Sequence, residues 1–226
     1  MRQPVFLELF SGNGTLAEVA RAAGMKAITV DIDPRRKPDI CIDILNLRRS
    51  ILPGHVDVIW ASPPCTAFSL LQCSNNWEST PISYRMYHHK PLTPGAFEAL
   101  RIIKATGRLI CQLNPTFYFI ENPRAVLRHR PEMVFVPYRK TVRYSDYGAE
   151  YEKPTDIFTN CKHFQPIQSR RPAGLMKLTE VKTVEERSAI PHALAREVVD
   201  TCLAFLPGQW VLTPEIGNTC GTAQSA

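Results

Sequence analysis

The sequence predicts an α/β fold: a mostly parallel sheet with helices on both faces and an antiparallel hairpin toward the C-terminus. Three observations predict it. Val5–Phe10 is a short apolar run that passes through a glycine turn, Ser11-Gly12-Asn13-Gly14-Thr15, into a helical pattern. Val56–Trp60 reads as a second buried strand, and it stops at a Pro-Pro pair. Phe117–Ile120 reads as a third, and it ends in a carboxylate, Glu121.

The chain has 226 residues and 44% apolar content, enough for one domain with its own core. A net charge of +6 suits a polyanionic partner. The 7 cysteines are scattered without close pairs, which argues against a disulfide framework and a zinc site. Cys161/His163 and His88/His89 lack further ligands at matching spacing, so no metal is expected. No apolar stretch approaches membrane-spanning length. The expectation is a soluble, reduced, intracellular protein with no membrane partner.

In chain order, the helix Leu16–Ala23 carries Leu16, Val19, Ala20 and Ala23 on one face. The two glycines before it permit a tight turn and let a ligand approach the backbone. The next strand, Ala27–Val30, ends in Asp31-Ile32-Asp33, and an acid there is placed to accept hydrogen bonds from ribose hydroxyls. The third glycine of the dinucleotide fingerprint is missing, which disfavours NAD.

After Val56–Trp60, Pro63 and Pro64 stiffen the turn and present Cys65 at the sheet edge, where open α/β sheets hold ligands. The alternative is an inert buried cysteine. Thr66–Pro94 reads as a long, glycine-free loop with Trp77, Tyr84, Arg85, Tyr87, His88, His89 and Lys90. That mixture suits unpaired bases and phosphates, or else a solvated surface. A helix follows from Pro94, with Phe97, Leu100, Ile103 and Ile110 on its buried face. Glu121 at a strand end is costly unless paired or used, or it caps a neighbouring helix.

Tyr144–Gly148 and Lys153–Asn160 read as a hairpin with Gly148 in its turn region. Pro191 opens an amphipathic helix with Leu194, Val198, Cys202 and Phe205 on one side. The resulting layout is a single domain over 1–206, with a mobile loop at about 66–94 and a short stretch at about 161–186 containing Arg170-Arg171-Pro172. The tail 207–226 is nearly uncharged and expected to be loosely attached.

Ser62-Pro63-Pro64-Cys65-Thr66-Ala67-Phe68-Ser69 resembles the nucleophile motif Pro-Cys-x-x-Phe-Ser of the C5-cytosine DNA methyltransferases. Phe10-Ser11-Gly12-Asn13-Gly14 resembles that family's Phe-x-Gly-x-Gly motif, and Glu121-Asn122 its Glu-Asn-Val, with Pro123 in place of valine. The Tyr-Gly…Lys-Pro-Thr…Thr-Asn pattern is similar to short, phage-type members lacking a full target-recognition domain.

The resemblance implies a Rossmann-like S-adenosylmethionine-dependent methyltransferase fold, DNA as partner, and methylation of a flipped-out cytosine at C5 through a Cys65 adduct. Glu121 would engage N3 and the exocyclic amine, and Asn122 would anchor the turn. S-adenosylmethionine would lie on Phe10, Gly12, Asn13, Gly14 and Thr15, with Pro64 nearby. Asp31 would hold its ribose, Ile32 would pack on adenine, Asp43-Ile44 would read the adenine edge, and Ser188 would touch the methionine end. Ile32 as plain core, and Asp43 as the N-cap of a helix Ile44–Arg48, remain the alternatives.

The family's Gln-x-Arg-x-Arg falls on Tyr151, Lys153 and Thr155. Lys153 would neutralise a phosphate without arginine's two-pronged geometry, or is a solvated surface lysine. Arg187-Ser188-Ala189-Ile190-Pro191 stands where the family has Gly-Asn-x-Val-Pro, which sets a cation, Arg187, near a sulfonium. The short 161–186 stretch implies brief or relaxed sequence readout, or readout by a protein partner. The phage-type resemblance implies a cytoplasmic setting in a bacterial or phage-infected host. A tRNA cytosine-5 methyltransferase and a non-catalytic DNA-binding relative are the rival readings. An amino-methyltransferase is disfavoured, because Cys65 replaces the aromatic residue after Pro-Pro.

Overall fold

The protein is described by a computed structural model over residues 2–69, 73–83, 86–169, 174–181 and 183–208. The elements run β1 (Val5–Leu9), α1 (Thr15–Ala22), β2 (Lys26–Asp31), β3 (Ile40–Cys41), β4 (Val58–Ala61), α2 (Cys73–Asn76), β5 (Trp77–Ser83), β6 (Met86–Pro91) and α3 (Pro94–Leu113). They continue with β7 (Phe117–Pro123), β8 (Tyr138–Arg143), β9 (Pro154–Thr159), α4 (Val184–Ser188) and α5 (His192–Phe205). The main sheet has the order β3-β2-β1-β4-β7-β9-β8. Its first five strands are parallel, while β9 runs antiparallel to both β7 and β8. This is a Rossmann-like, mostly parallel α/β sheet.

Alternation along the central strands feeds two cores. Leu7, Leu9, Ile59, Ala61, Tyr118 and Ile120 face α3. Phe6, Val58, Trp60, Phe117 and Phe119 face α1 and α5. With both faces covered, the central strands read as nearly continuous apolar runs, interrupted in β1 by Glu8 and ended in β7 by Glu121. The chain leaves β1 for β2 on one side and reaches β4 on the other, so a crevice opens between the carboxyl ends of β1 and β4.

Several expectations are corrected. Phe97 is 55% exposed, because the buried stripe of α3 runs through Ala96, Leu100, Ile103 and Ile110, and Phe97 sits one residue round the helix from its start. Phe205 is also exposed, and its ring stacks on His163 at 3.7 Å instead of entering the core. Among its described residues the region 66–94 is not an irregular loop: β5 and β6 pair as a separate antiparallel hairpin. Trp77 anchors that hairpin by donating its indole N–H to Ala67 O at 2.6 Å and stacking on Phe68.

Residues Ile44–Asn46 form a turn rather than a helix, and Asp43 Oδ1 caps that turn by accepting from Leu45 N–H at 2.9 Å. The C-terminal hairpin is made by β8 and β9. Tyr144–Tyr147 form a 3-10 turn between them, closed by Gly148 at φ +89. Tyr84, Arg85, Arg170, Arg171, Pro172 and the tail from residue 209 lie outside the described residues. No helix among the described residues is long and apolar enough to cross a membrane.

Candidate active site

Register brings the pieces together. Leu9 pairs with Ala61, and Ala61 with Ile120, so the carboxyl ends of β1, β4 and β7 stop side by side. Beyond them stand the glycine turn, the Pro63-Pro64-Cys65 turn and Glu121.

The first turn is built from left-handed backbone, with φ +57 at Phe10, +50 at Gly12 and +72 at Gly14. Gly14 caps α1, and the space where Gly12 would carry a Cβ is open. Asp31 pins the turn from β2: its Oδ2 accepts from Gly12 N–H at 2.8 Å, and its Oδ1 accepts from Asp33 N–H at 2.9 Å.

The second turn is held from below. Asn122 Nδ2 donates to Pro63 O at 3.1 Å, and Trp60 Nε1 donates to Ser62 Oγ at 2.8 Å. The amides of Phe68 and Ser69 both donate to Cys65 O. Cys65 is partly buried. Burial pushes its thiol above the ordinary value, the Glu121 carboxylate adds to that, and Lys153 opposes it.

Glu121 is buried and twice partnered: the Tyr144 hydroxyl donates to Oε1 at 3.1 Å, and Lys153 Nζ lies 3.6 Å from the same oxygen. The ammonium also sits 4.5 Å from the centre of the Tyr144 ring. Lys153 is only 5% exposed, which corrects the surface-lysine reading, and the Glu121 carboxylate stands beside its charge. Thr155, fully buried, donates to Lys153 O.

A solvent-open cleft of about 730 Å³ joins these groups. Phe10, Gly12, Asn13 and Thr15 line one end, and Pro64, Cys65, Glu121 and Lys153 the other, with Ser188 at the side. Gly14, Asp31, Ile32, Asp43, Ile44 and Asn122 are outside the lining. Ile44 is packed in the core, whereas Ile32 is 65% exposed, so Ile32 is not a core residue. Arg187 Nη1 donates to Val181 O at 3.2 Å and does not line the cleft, which leaves no guanidinium from that residue at the glycine-turn end.

Sequence reasoning missed three lining or supporting side chains. Glu8, 2% exposed on β1, accepts from Ala17 N–H at 2.8 Å, and burial pushes its carboxyl up to about 7. Its signal was a charge inside the apolar run Val5–Phe10. Arg36 reaches the cleft from beyond β2, donating to Asn13 Oδ1 at 2.9 Å and pairing with Glu185 at 3.3 Å. Tyr144 gave no local signal, because its partner Glu121 is distant in sequence.

No family profile matches the chain. A protein of Frog virus 3 (isolate Goorha), named "Probable DNA (cytosine-5)-methyltransferase", is 30% identical over 168 residues, spanning 71% of this chain and 72% of the viral one. The chain belongs to the DNA (cytosine-5)-methyltransferase family. Solved structures agree at the level of fold. One is an E. coli prophage-encoded protein described as a DNA modification methyltransferase (TM-score 0.51, 19% identity, 74% of this chain and 52% of that one). Another is the Entamoeba histolytica methyltransferase EhMeth (TM-score 0.51, 14% identity, 76% of this chain and 58% of that one). The chain therefore spans little more than half the length of those solved proteins.

Proposed function

We propose that this methyltransferase moves a methyl group from S-adenosylmethionine to C5 of a cytosine flipped out of DNA, through a covalent adduct at Cys65. One observation carries the reading: Cys65, Glu121 and the glycine turn open into one cleft from three neighbouring strand ends.

The residues present fit the cofactor. The open space at Gly12 admits a ligand against the backbone. Outside the lining itself, the exposed Ile32 offers an apolar surface for adenine beside Asp31, the acid assigned to the ribose, whose carboxylate oxygens each retain accepting capacity beyond their backbone bonds. Ser188 borders the far side. Asp43-Ile44 is the weaker part of the set, contributing through its turn rather than through the lining. When bound, S-adenosylmethionine supplies an electrophilic methyl group on a sulfonium.

The chain's own groups then divide the work. Cys65 gives its proton to water in the open cleft, and the thiolate sulfur adds to C6 of cytosine. Glu121, held by Tyr144 and Lys153, accepts from the exocyclic amine and in its protonated form gives its proton to N3, so that the charge pushed into the ring is neutralised and electron density gathers at C5. Once C5 has bonded the methyl group, its proton passes to water in the open cleft, the freed electron pair restores the C5–C6 double bond, the C6–S bond breaks to return Cys65 as a thiolate, and N3 returns its proton to Glu121. Flipping the base costs roughly a few kcal/mol, offset by contacts to the base and the flanking strand.

The catalytic unit is residues 1–206. The stretch 161–186 provides no more than a 3-10 turn and the short α4 among its described residues, so DNA readout is brief or comes from a protein partner. The test is incubation with isotopically methyl-labelled S-adenosylmethionine and duplex DNA or tRNA, followed by mass spectrometry of the nucleosides. Labelled 5-methylcytosine in DNA supports the reading. Label in tRNA alone, or on the exocyclic nitrogen, overturns it.

A further inference from the structure

A cleft beside the Cys65 loop plays no part in the chemistry above. It lies between the β5–β6 hairpin and the 3-10 turn Val126–His129, and its walls include Ser79, Tyr87, His89, Arg124, Arg128 and His129. Among the described residues no carboxylate lines it. It adjoins the proposed base slot through the backbone: Val126 N–H donates to Phe68 O, Phe68 N–H donates to Cys65 O, and Arg124 follows Glu121 by three residues.

Its cations are not equivalent. Arg128 is matched by Asp156, with two hydrogen bonds of 2.9 Å. Arg124 is exposed; its backbone N–H donates to Pro154 O, and its guanidinium meets no carboxylate among the described residues.

His89 is the second observation. It is 7% exposed and lies between the Tyr87 and His129 rings. Ser79 Oγ sits 2.8 Å from its Nδ1, whereas its Nε2 is buried with no partner among the described residues. Burial, with His129 and Arg130 alongside, holds the ring below the ordinary histidine value and so neutral near pH 7. Ser79 can donate to Nδ1 or accept from it, and either tautomer leaves Nε2 unmet, which is costly unless a ligand engages it; an anionic oxygen selects the tautomer with the proton on Nε2.

We infer that this cleft seats a backbone phosphate of the DNA strand carrying the target cytosine, with Arg124 matching its charge and His89 Nε2–H donating to one of its oxygens. The inference rests on the DNA methyltransferase reading and adds to it the place where the flanking strand is held.

The test is fluorescence anisotropy with a labelled cytosine-containing duplex across a salt series, with methyl transfer by the wild type measured in parallel. Arg124→Gln is expected to weaken binding about five- to tenfold near about 0.1 M salt and to lower the log–log salt slope by about 0.9, one released counterion. His89→Phe keeps the ring and removes a neutral donor, so affinity falls about threefold with the slope unchanged. Arg101→Gln, on the exposed side of α3, changes neither. A wild-type slope and affinity in Arg124→Gln, in a protein that still methylates DNA, would overturn the phosphate site alone. Absence of both binding and methylation in the wild type would overturn the site and the function together. Arg124→Gln alters an exposed side chain, so the test stands even where His89→Phe fails to fold.

Discussion

Lys153 Nζ stands 3.6 Å from Glu121 Oε1, and both side chains are almost wholly withdrawn from solvent. β7 supplies the carboxylate, while the ammonium comes from the residue just before β9, the strand antiparallel to β7. With Tyr144 donating to the same oxygen, the carboxylate has one orientation, toward the cleft that also holds Cys65.

Removing the cation should therefore be expensive. Lys153→Met leaves a buried carboxylate without its counter-charge, and a loss of about 3 kcal/mol is expected. Urea unfolding of the two proteins measures it. A loss below about 1 kcal/mol would mean that the pair is not the buried contact described.

The same pair sets the reactivity of Cys65. Its thiol is raised by burial, then by Glu121, and lowered by Lys153. Glu121→Gln should shift the pH–rate profile of Cys65 alkylation to lower pH, and Lys153→Met should shift it to higher pH. Mass spectrometry of the Cys65 peptide separates it from the exposed Cys41 and Cys111. Identical profiles in all three proteins would contradict the electrostatic coupling.

Glu8 gives stability a pH signature. Its folded carboxyl titrates at about 7 against an unfolded value of 4.5, so the folded state binds the proton more tightly. Its contribution is fully favourable below the unfolded value and is lost as pH rises through about 7. Glu8→Gln, which keeps an acceptor for Ala17 N–H, should flatten that decline and gain up to about 3 kcal/mol above neutrality relative to acid. Chemical denaturation at mildly acidic and mildly alkaline pH checks it; parallel changes in both proteins would contradict it.

What could be read from the sequence follows from local physics. Strands buried on both faces appear as nearly continuous apolar runs, so β1, β4 and β7 are legible despite Glu8 in the first, and Pro63-Pro64, Gly12 and Glu121 mark where each run ends. The β5–β6 hairpin was not visible, because among its described side chains only Trp77 and His89 are buried and no alternation results. Phe97 and Phe205 misled because an aromatic at helical spacing was counted as core without a neighbour to cover it. The settings of Lys153 and Tyr144 depend on strand pairing between distant segments, which no local pattern carries. Asp43 showed its capping chemistry but not that a turn, rather than a helix, follows it.

The most direct measurement is trapping with duplex DNA in which 5-fluorocytosine replaces cytosine, in the presence of S-adenosylmethionine. Fluorine at C5 cannot leave as a proton does, so the wild type should form a DNA adduct that survives denaturing electrophoresis and maps to Cys65, and Cys65→Ser should form none. An adduct retained in Cys65→Ser, or a wild type that methylates ordinary cytosine yet forms no adduct, would contradict Cys65 as the nucleophile.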